Sequence, residues 1–173
     1  GLRDNAELAF GLGTSGVHVD LVRAPAQLDA VLKAAKPEQI VSLGVVDGRN
    51  IWKTDFAAAL GLLEKAKASL GEARIIVAPS CSLLHTPVDL VHEVKLDAEL
   101  KQWLAYGQQK LEEIAVLAAA LKGGAQAASV KAQLDENVKA IAARRSSKRI
   151  HNDAVKQRLA AVNDNMLVRK SPF

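Results

Sequence analysis

Apolar positions along this chain change their period twice. Three short runs are rich in β-branched residues: 17–22 (VHVDLV), 40–46 (IVSLGVV) and 74–78 (RIIVA). Each has the length and composition of a buried strand. Between the runs, apolar residues recur at helical spacing. Leu28, Val31 and Leu32 predict a helix over residues 26–35. Phe56, Leu60, Leu63 and Ala66 predict another over 55–70, with Thr54 as N-cap and Gly71 as its stop. Strands alternating with helices in this way form a parallel sheet with right-handed crossovers.

Beyond Pro87 only helical spacing remains. Leu96, Leu100, Trp103, Leu104, Leu111, Ile114, Ala118 and Leu121 read as one long helix over residues 95–122, ended by Gly123 and Gly124. A second helix is expected over 127–145 and a third over 153–162, capped by Asn152. Residues 163–173 show no periodicity and read as a linker. The expected organisation is therefore 1–90 as βα units, 91–162 as a helical segment and 163–173 as linker. Three parallel strands do not close a barrel of the (βα)8 kind. The first strand would also leave an apolar edge. This predicts further strands upstream or a partner chain that supplies them, and self-association of this stretch.

Composition narrows the functional classes. Hydrophobic residues make up 49% of the 173 and charged residues 24%, which is globular rather than disordered. Aromatics are only 3%, so aliphatic side chains and Ala must fill the core. The single cysteine, Cys81, excludes an internal disulfide framework and fits a reducing compartment. Residues 1–16 lack the basic start and apolar run of a signal peptide, and no apolar run reaches the ~18 residues of a membrane span. A cytoplasmic protein without a membrane partner is expected. The net charge of +4 is concentrated in Arg144, Arg145, Lys148 and Arg149, with Lys156, Arg158, Arg169 and Lys170 following. No aromatic is interleaved for base stacking, so the cluster reads as a solvated helix end rather than a nucleic-acid surface; a polyanion contact is the alternative.

Candidate chemistry lies after the strands. Asp47-Gly48-Arg49-Asn50 follows the second run and would sit at the C-terminal face, where sites of barrel folds are built. Asp47, Arg49 and Asn50 are the candidate substrate-binding residues, with Arg49 as an anion contact. The other reading is a tight loop held by an Asp–Arg pair and an Asn cap. Cys81 and His85 stand four apart after the third run, but Leu83, Leu84 and Pro87 suggest a turn with His85 bonded to backbone rather than a nucleophile pair. His18 alternates with Val17 and Val19 and faces away from them, and His92 and His151 look like loop or cap residues. The glycine-rich stretch from Gly11 to Gly16 precedes a strand instead of following one, so it is a loop and not a phosphate cradle. No catalytic residue is assigned.

Three strings carry a family resemblance: Val17-His18-Val19-Asp20-Leu21-Val22, then Ser42-Leu43-Gly44-Val45-Val46-Asp47-Gly48-Arg49-Asn50-Ile51-Trp52, then Ser80-Cys81-Ser82-Leu83-Leu84-His85-Thr86-Pro87-Val88-Asp89-Leu90. Leu96-Asp97-Ala98-Glu99-Leu100-Lys101, Ala143-Arg144-Arg145-Ser146-Ser147 and Arg149-Ile150-His151-Asn152 continue the match in order. In these strings the chain resembles the cobalamin-independent methionine synthases over nearly its whole length. The resemblance implies an α/β fold: part of a TIM-like (βα)8 barrel, three parallel strands followed by a helical segment. It implies a methyltransferase of two face-to-face barrels that moves a methyl group from 5-methyltetrahydropteroyl-polyglutamate to homocysteine. In the family a downstream barrel holds zinc through two Cys, a His and a Glu, and an upstream basic segment contacts the folate's glutamate tail. Neither segment has a counterpart here. This stretch is thus expected to be scaffold, inactive alone and without a cofactor of its own. Its implied partners are the zinc-binding barrel of the parent polypeptide and the folate polyglutamate tail. By the same resemblance, Cys81 and Asp20 look like relics of a metal site whose His-x-Cys pair is missing.

Overall fold

The computed structural model describes residues 1–169 and 171. Lys170, Pro172 and Phe173, which belong to the expected linker and basic cluster, lie outside the described residues. Three parallel strands, β1 (Gly16–Asp20), β2 (Ile40–Val46) and β3 (Ile75–Pro79), form one sheet in the order β1-β2-β3. Their register sorts side chains cleanly between two faces. Val17, Val41 and Ile75 form one row and Val19, Leu43 and Val77 the next. These rows enter the core with Leu28 and Val31 of α2 (Leu28–Ala34) and Leu63 and Ala66 of α3 (Phe56–Leu70). Strand alternation sends the rows His18, Ser42, Ile76 and Asp20, Gly44, Ala78 to the opposite face. His18 is exposed there, and Ile76 is half-exposed. His18 therefore points away from the helices, as a lumen-facing residue of a barrel would.

Gly44 permits the close approach of the strands at this row. A Cβ there would stand 2.7 Å from the Ser80 Cα and 3.0 Å from the Val19 carbonyl oxygen.

The helices between the strands lie where the periodicity put them, with one change of cap. Asp55, not Thr54, caps α3: its carboxylate accepts from the Ala58 amide at 3.1 Å. Thr54 is committed elsewhere, its hydroxyl donating to Glu113 at 2.7 Å. Gly71 ends α3 as expected, at φ 78°. A short helix outside the sequence-based expectations, α1 (Ala6–Gly11), sends Phe10 into the core. Gln39 is buried and ties the adjoining loops together, donating to the carbonyls of Phe10 and Thr14 at 3.1 and 2.9 Å.

The single long helix expected over 95–122 is instead two. α4 (Ala98–Lys101) stops, the chain turns, and α5 (Gly107–Leu121) begins. The break has a backbone cause. The Lys53 amide donates to the Trp103 carbonyl and the Ala105 amide to the Ile51 carbonyl, each at 2.8 Å, forming an antiparallel bridge between Trp52 and Leu104. Groups spent on that bridge cannot continue a helical ladder. The first amides of α5, at Gly107 and Gln108, donate instead to the carbonyls of Pro87 and Val88.

α6 (Ala128–Ser146) and α7 (Asp153–Ala160) match their expected spans, and Asn152 caps α7 through the Val155 amide at 3.2 Å. A four-residue helix, α8 (Asp164–Leu167), lies within the stretch lacking periodicity. The chain divides into two compact units, Gly1–Ile141 and Ala142–Phe173. The first holds the sheet and its core. In the second, α7 is exposed along its length, and the His151 ring donates to the Arg145 carbonyl at 2.7 Å, closing the end of α6 as a cap residue does.

The architecture is α/β, with parallel strands in one sheet and helices packed around it, as expected for part of a TIM-like barrel.

Candidate functional site

The C-terminal ends of the three strands bring together Asp20, the loop at residues 47–50, and Ser80 with Cys81. Asp20, Asp47 and Asn50 are engaged first by backbone amides of their own turns. The Asp20 carboxylate accepts from the Val22 and Arg23 amides, both at 2.9 Å. Asp47 accepts from the Arg49 amide at 2.8 Å and from the Asn50 side-chain amide at 2.6 Å. Asn50 in turn accepts from the Trp52 amide at 3.1 Å. These are Asx turns, which short polar side chains form readily. The expected tight loop is present, but Asp47 holds the backbone of Arg49 and not its guanidinium.

Arg49 reaches across to the third strand. Its Nε donates to the Cys81 Sγ at 3.4 Å, and the residue is exposed. The bond to Cys81, with Asp20 and Asp47 nearby, holds its guanidinium above the ordinary arginine range. Gly48 lets the two loops touch, since a Cβ there would stand 2.7 Å from the Cys81 carbonyl oxygen. The Gly48 amide donates to the Ser80 hydroxyl at 3.2 Å. On the open face, the His18 Nε2 lies 3.3 Å from the Ser80 carbonyl and its Nδ1 lies 2.9 Å from the Ser42 hydroxyl. A neutral ring therefore donates through Nε2 and accepts from Ser42.

Cys81 and His85 do not form a pair. His85 is exposed, and no hydrogen bond joins it to Cys81 or to backbone among the described residues. The backbone anchor expected for His85 is thus absent; the turn is closed instead by the Thr86 hydroxyl donating to the Leu83 carbonyl at 2.8 Å.

Cys81 and Asp20, which the resemblance makes look like relics of a metal site, do not make up a zinc donor set. A tetrahedral site takes about four ligands. Here Asp20 is spent on its own turn and Arg49 sits on the Cys81 sulfur. Among the described residues no group of three or more His, Cys, Asp or Glu converges for a metal.

The sequence reading missed the residues that hold this rim in place. Lys110 and Glu113, one helical turn apart on α5, are both buried. The Lys110 ammonium donates to the Trp52 carbonyl at 3.1 Å. Glu113 accepts from the Thr54 amide at 2.9 Å and from its hydroxyl. Asn137 of α6, also buried, donates to the Thr54 carbonyl at 2.9 Å and accepts from the Phe56 amide at 3.1 Å. The segment between β2 and α3 is thereby pinned almost residue by residue. Burial pushes Lys110 below its ordinary value, while Glu113 and Asp47 act the other way. Burial pushes the Glu113 carboxyl up, against the Thr54 bonds and the charges of Lys110 and Lys53. A cavity of about 340 Å³ beside this network is lined by Lys53, Gln109, Glu112 and Glu136 among others. The signal in the sequence was the spacing of Lys110, Glu113, Leu117 and Ala120, which is a buried helical stripe with two charges in it.

A three-stranded parallel sheet whose strand-end loops gather polar residues, with helices around it, is an α/β architecture consistent with part of a TIM-like barrel. Residues 1–71 match the family described as the N-terminal domain of cobalamin-independent synthase. Over its whole length the chain is 50% identical to a 5-methyltetrahydropteroyltriglutamate–homocysteine methyltransferase of Caulobacter vibrioides, of which it spans 22%. It is 52% identical over 98% of its length to the protein of that name in Acidithiobacillus ferrooxidans, spanning 21% of it, and 48% identical over its whole length to that of Nitrobacter winogradskyi, spanning 22%. The chain belongs to the cobalamin-independent methionine synthase family. It spans about a fifth of the length of these relatives.

Proposed function

We propose that the chain works as part of a cytoplasmic, zinc-dependent methyltransferase that moves a methyl group from 5-methyltetrahydropteroyl-polyglutamate to homocysteine, making methionine. Within that enzyme this stretch serves mainly as scaffold: residues 1–90 supply βα units of the first barrel, 91–162 brace them, and 163–173 link onward to the zinc-binding barrel. The observation that carries the scaffold role is the inward commitment of the strand-end loops. Asp20, Asp47 and Asn50 are satisfied by their own turns, and Lys110, Glu113 and Asn137 spend their polar groups on backbone. Among the described residues no helix is long and apolar enough to cross a membrane.

A second reading is favoured by Arg49, which is exposed at the rim and, among the described residues, donates only through its Nε. It has the chemistry to hold a carboxylate of the folate's glutamate tail. Calorimetric titration of the chain with the polyglutamylated folate separates the two. A heat of binding that weakens about tenfold in Arg49→Gln, or about 1.4 kcal/mol, supports the tail contact. No heat at millimolar ligand leaves scaffold alone.

Self-association follows from the sheet. On its His18–Ser42–Ile76 face His18 and Ile76 are exposed, and each outer strand has one unpaired edge among the described residues. Such edges pair with other chains. The chain is expected to sediment as a dimer or larger, with a melting temperature that rises with protein concentration. A compact 18.4 kDa monomer whose melting is independent of concentration would refute this.

A further inference from the structure

We propose that Lys110 is the positioning residue of the rim at residues 47–50, fixing where Arg49 stands through its hydrogen bond to the Trp52 carbonyl. This deepens the tail-contact reading and rests on it for its functional consequence.

Lys110 has no access to solvent, yet its ammonium reaches the underside of an exposed loop. It bonds the carbonyl of Trp52, whose amide is held by Asn50, whose side-chain amide is held by Asp47, which in turn holds the Arg49 amide. The Asp47 carboxylate also lies close enough for its charge to act on the buried ammonium. One cation thus anchors the Asx-turned rim by a hydrogen bond at its Trp52 end. Placing it costs desolvation, and an apolar side chain of similar size would fill the same volume without that cost. The charge acts on Glu113 of the same helix, and the ammonium's hydrogen bond goes to the loop at Trp52. α5 itself is well placed to impose the geometry. Its first turn is anchored to the carbonyls of Pro87 and Val88, and Gln109 accepts from the Leu90 amide at 3.1 Å while donating to Asp89 at 2.8 Å. The helix that carries Lys110 is therefore fixed to the segment following β3 as well, so the loops after β2 and β3 share one reference point.

The test uses the full chain and its Lys110→Met variant, which keeps the buried stem and removes the donor. Amide hydrogen exchange is read residue by residue. The Arg49 and Trp52 amides are expected to exchange about tenfold faster in the variant, while the Leu43 amide in β2 keeps its rate. In parallel, calorimetry with tri-γ-glutamate as probe is expected to show about a tenfold loss in Lys110→Met, matching Arg49→Gln. Lys110→Gln, which retains a donor on a shorter stem, is expected to recover part of both effects. Unchanged rim exchange, or an equal acceleration at Leu43, overturns the proposal, since the first denies the grip and the second makes it general stability. If neither Lys110 variant folds cooperatively, Lys110 is structural and the proposal falls. If the unaltered chain does not bind tri-γ-glutamate, the tail-contact reading fails, and the exchange measurement still decides the positioning role.

Discussion

Supplied with homocysteine and 5-methyltetrahydropteroyl-triglutamate, the 173-residue chain alone is expected to form methionine no faster than the uncatalysed rate. A thiol attacks a methyl donor as its thiolate, and at neutral pH a free thiol is mostly protonated. Metal coordination lifts that restriction, but only where several ligands converge. In this chain the candidates do not converge: Asp20 closes its own turn, and Cys81 takes the Arg49 Nε on its sulfur. His18, the histidine on the open sheet face, is spent on Ser42 and the Ser80 carbonyl. Mass-spectrometric detection of methionine against an enzyme-free blank checks the expectation. A rate above the blank that disappears in Cys81→Ser would sink it, as would near-stoichiometric zinc retained through dialysis.

Removing the Glu113 carboxylate is expected to have the largest effect on stability. Glu113→Ala strands the Thr54 amide and hydroxyl and takes the nearest counter-charge from Lys110. Loss of a buried acceptor beside a buried cation costs about 3 kcal/mol. For a chain of this size that lowers the melting temperature by roughly 6–12 °C, measurable by calorimetry at fixed protein concentration. The acid itself carries a pH signature. Burial holds the folded-state carboxyl above its ordinary 4.5, so the folded chain binds more protons than the unfolded chain from about pH 4.5 upward. Its contribution to stability is present below that value and is lost as pH rises through the folded-state pKa. Glu113→Gln, which keeps an oxygen acceptor for Thr54, should flatten this decline. Urea midpoints across the acidic range would show it, and an unaltered slope in the variant would contradict the assignment.

The strands were legible because each is a short run rich in β-branched residues. Val17, Val19, Val41 and Leu43 announce a buried face, and β2 lies at its expected residues. Helix positions followed wherever the buried stripe was apolar, as in α3. The reading failed where charge replaced apolar residues on an inward face. Leu111 falls on the apolar stripe yet is 54% exposed, while Lys110 beside it has no exposure at all. Shifting the stripe by one position brings in Lys110, Glu113, Leu117 and Ala120, the face that α5 buries. Hydropathy cannot rank that choice, because the two charges are buried only to satisfy backbone groups of a loop 58 and 59 positions earlier. The break between α4 and α5 was hidden for a related reason: helical spacing persists through Trp103 and Leu104, but a bridge to Trp52 claims their backbone. Among the site residues, the turn chemistry of Asp47 and Asn50 was readable from their type, whereas the reach of Arg49 to Cys81 depends on how two loops meet and has no local trace.

The pinning of the loop between β2 and α3 also sets an order of events. Its holders are Lys110, Glu113 and Asn137, and the hydrogen bonds they make span 58 to 83 residues of chain. Closing such long loops carries an entropy cost that must be met before the contact contributes anything, so distant pairings form late. The strands need no such wait, since each pairs with its neighbour in sequence. During synthesis from the N-terminus, β1, β2 and β3 are all available before α5 exists. The sheet therefore registers first, and the rim sets only when α5 and α6 arrive, which makes it the last part of the first unit to form and the first to loosen when those helices lift away.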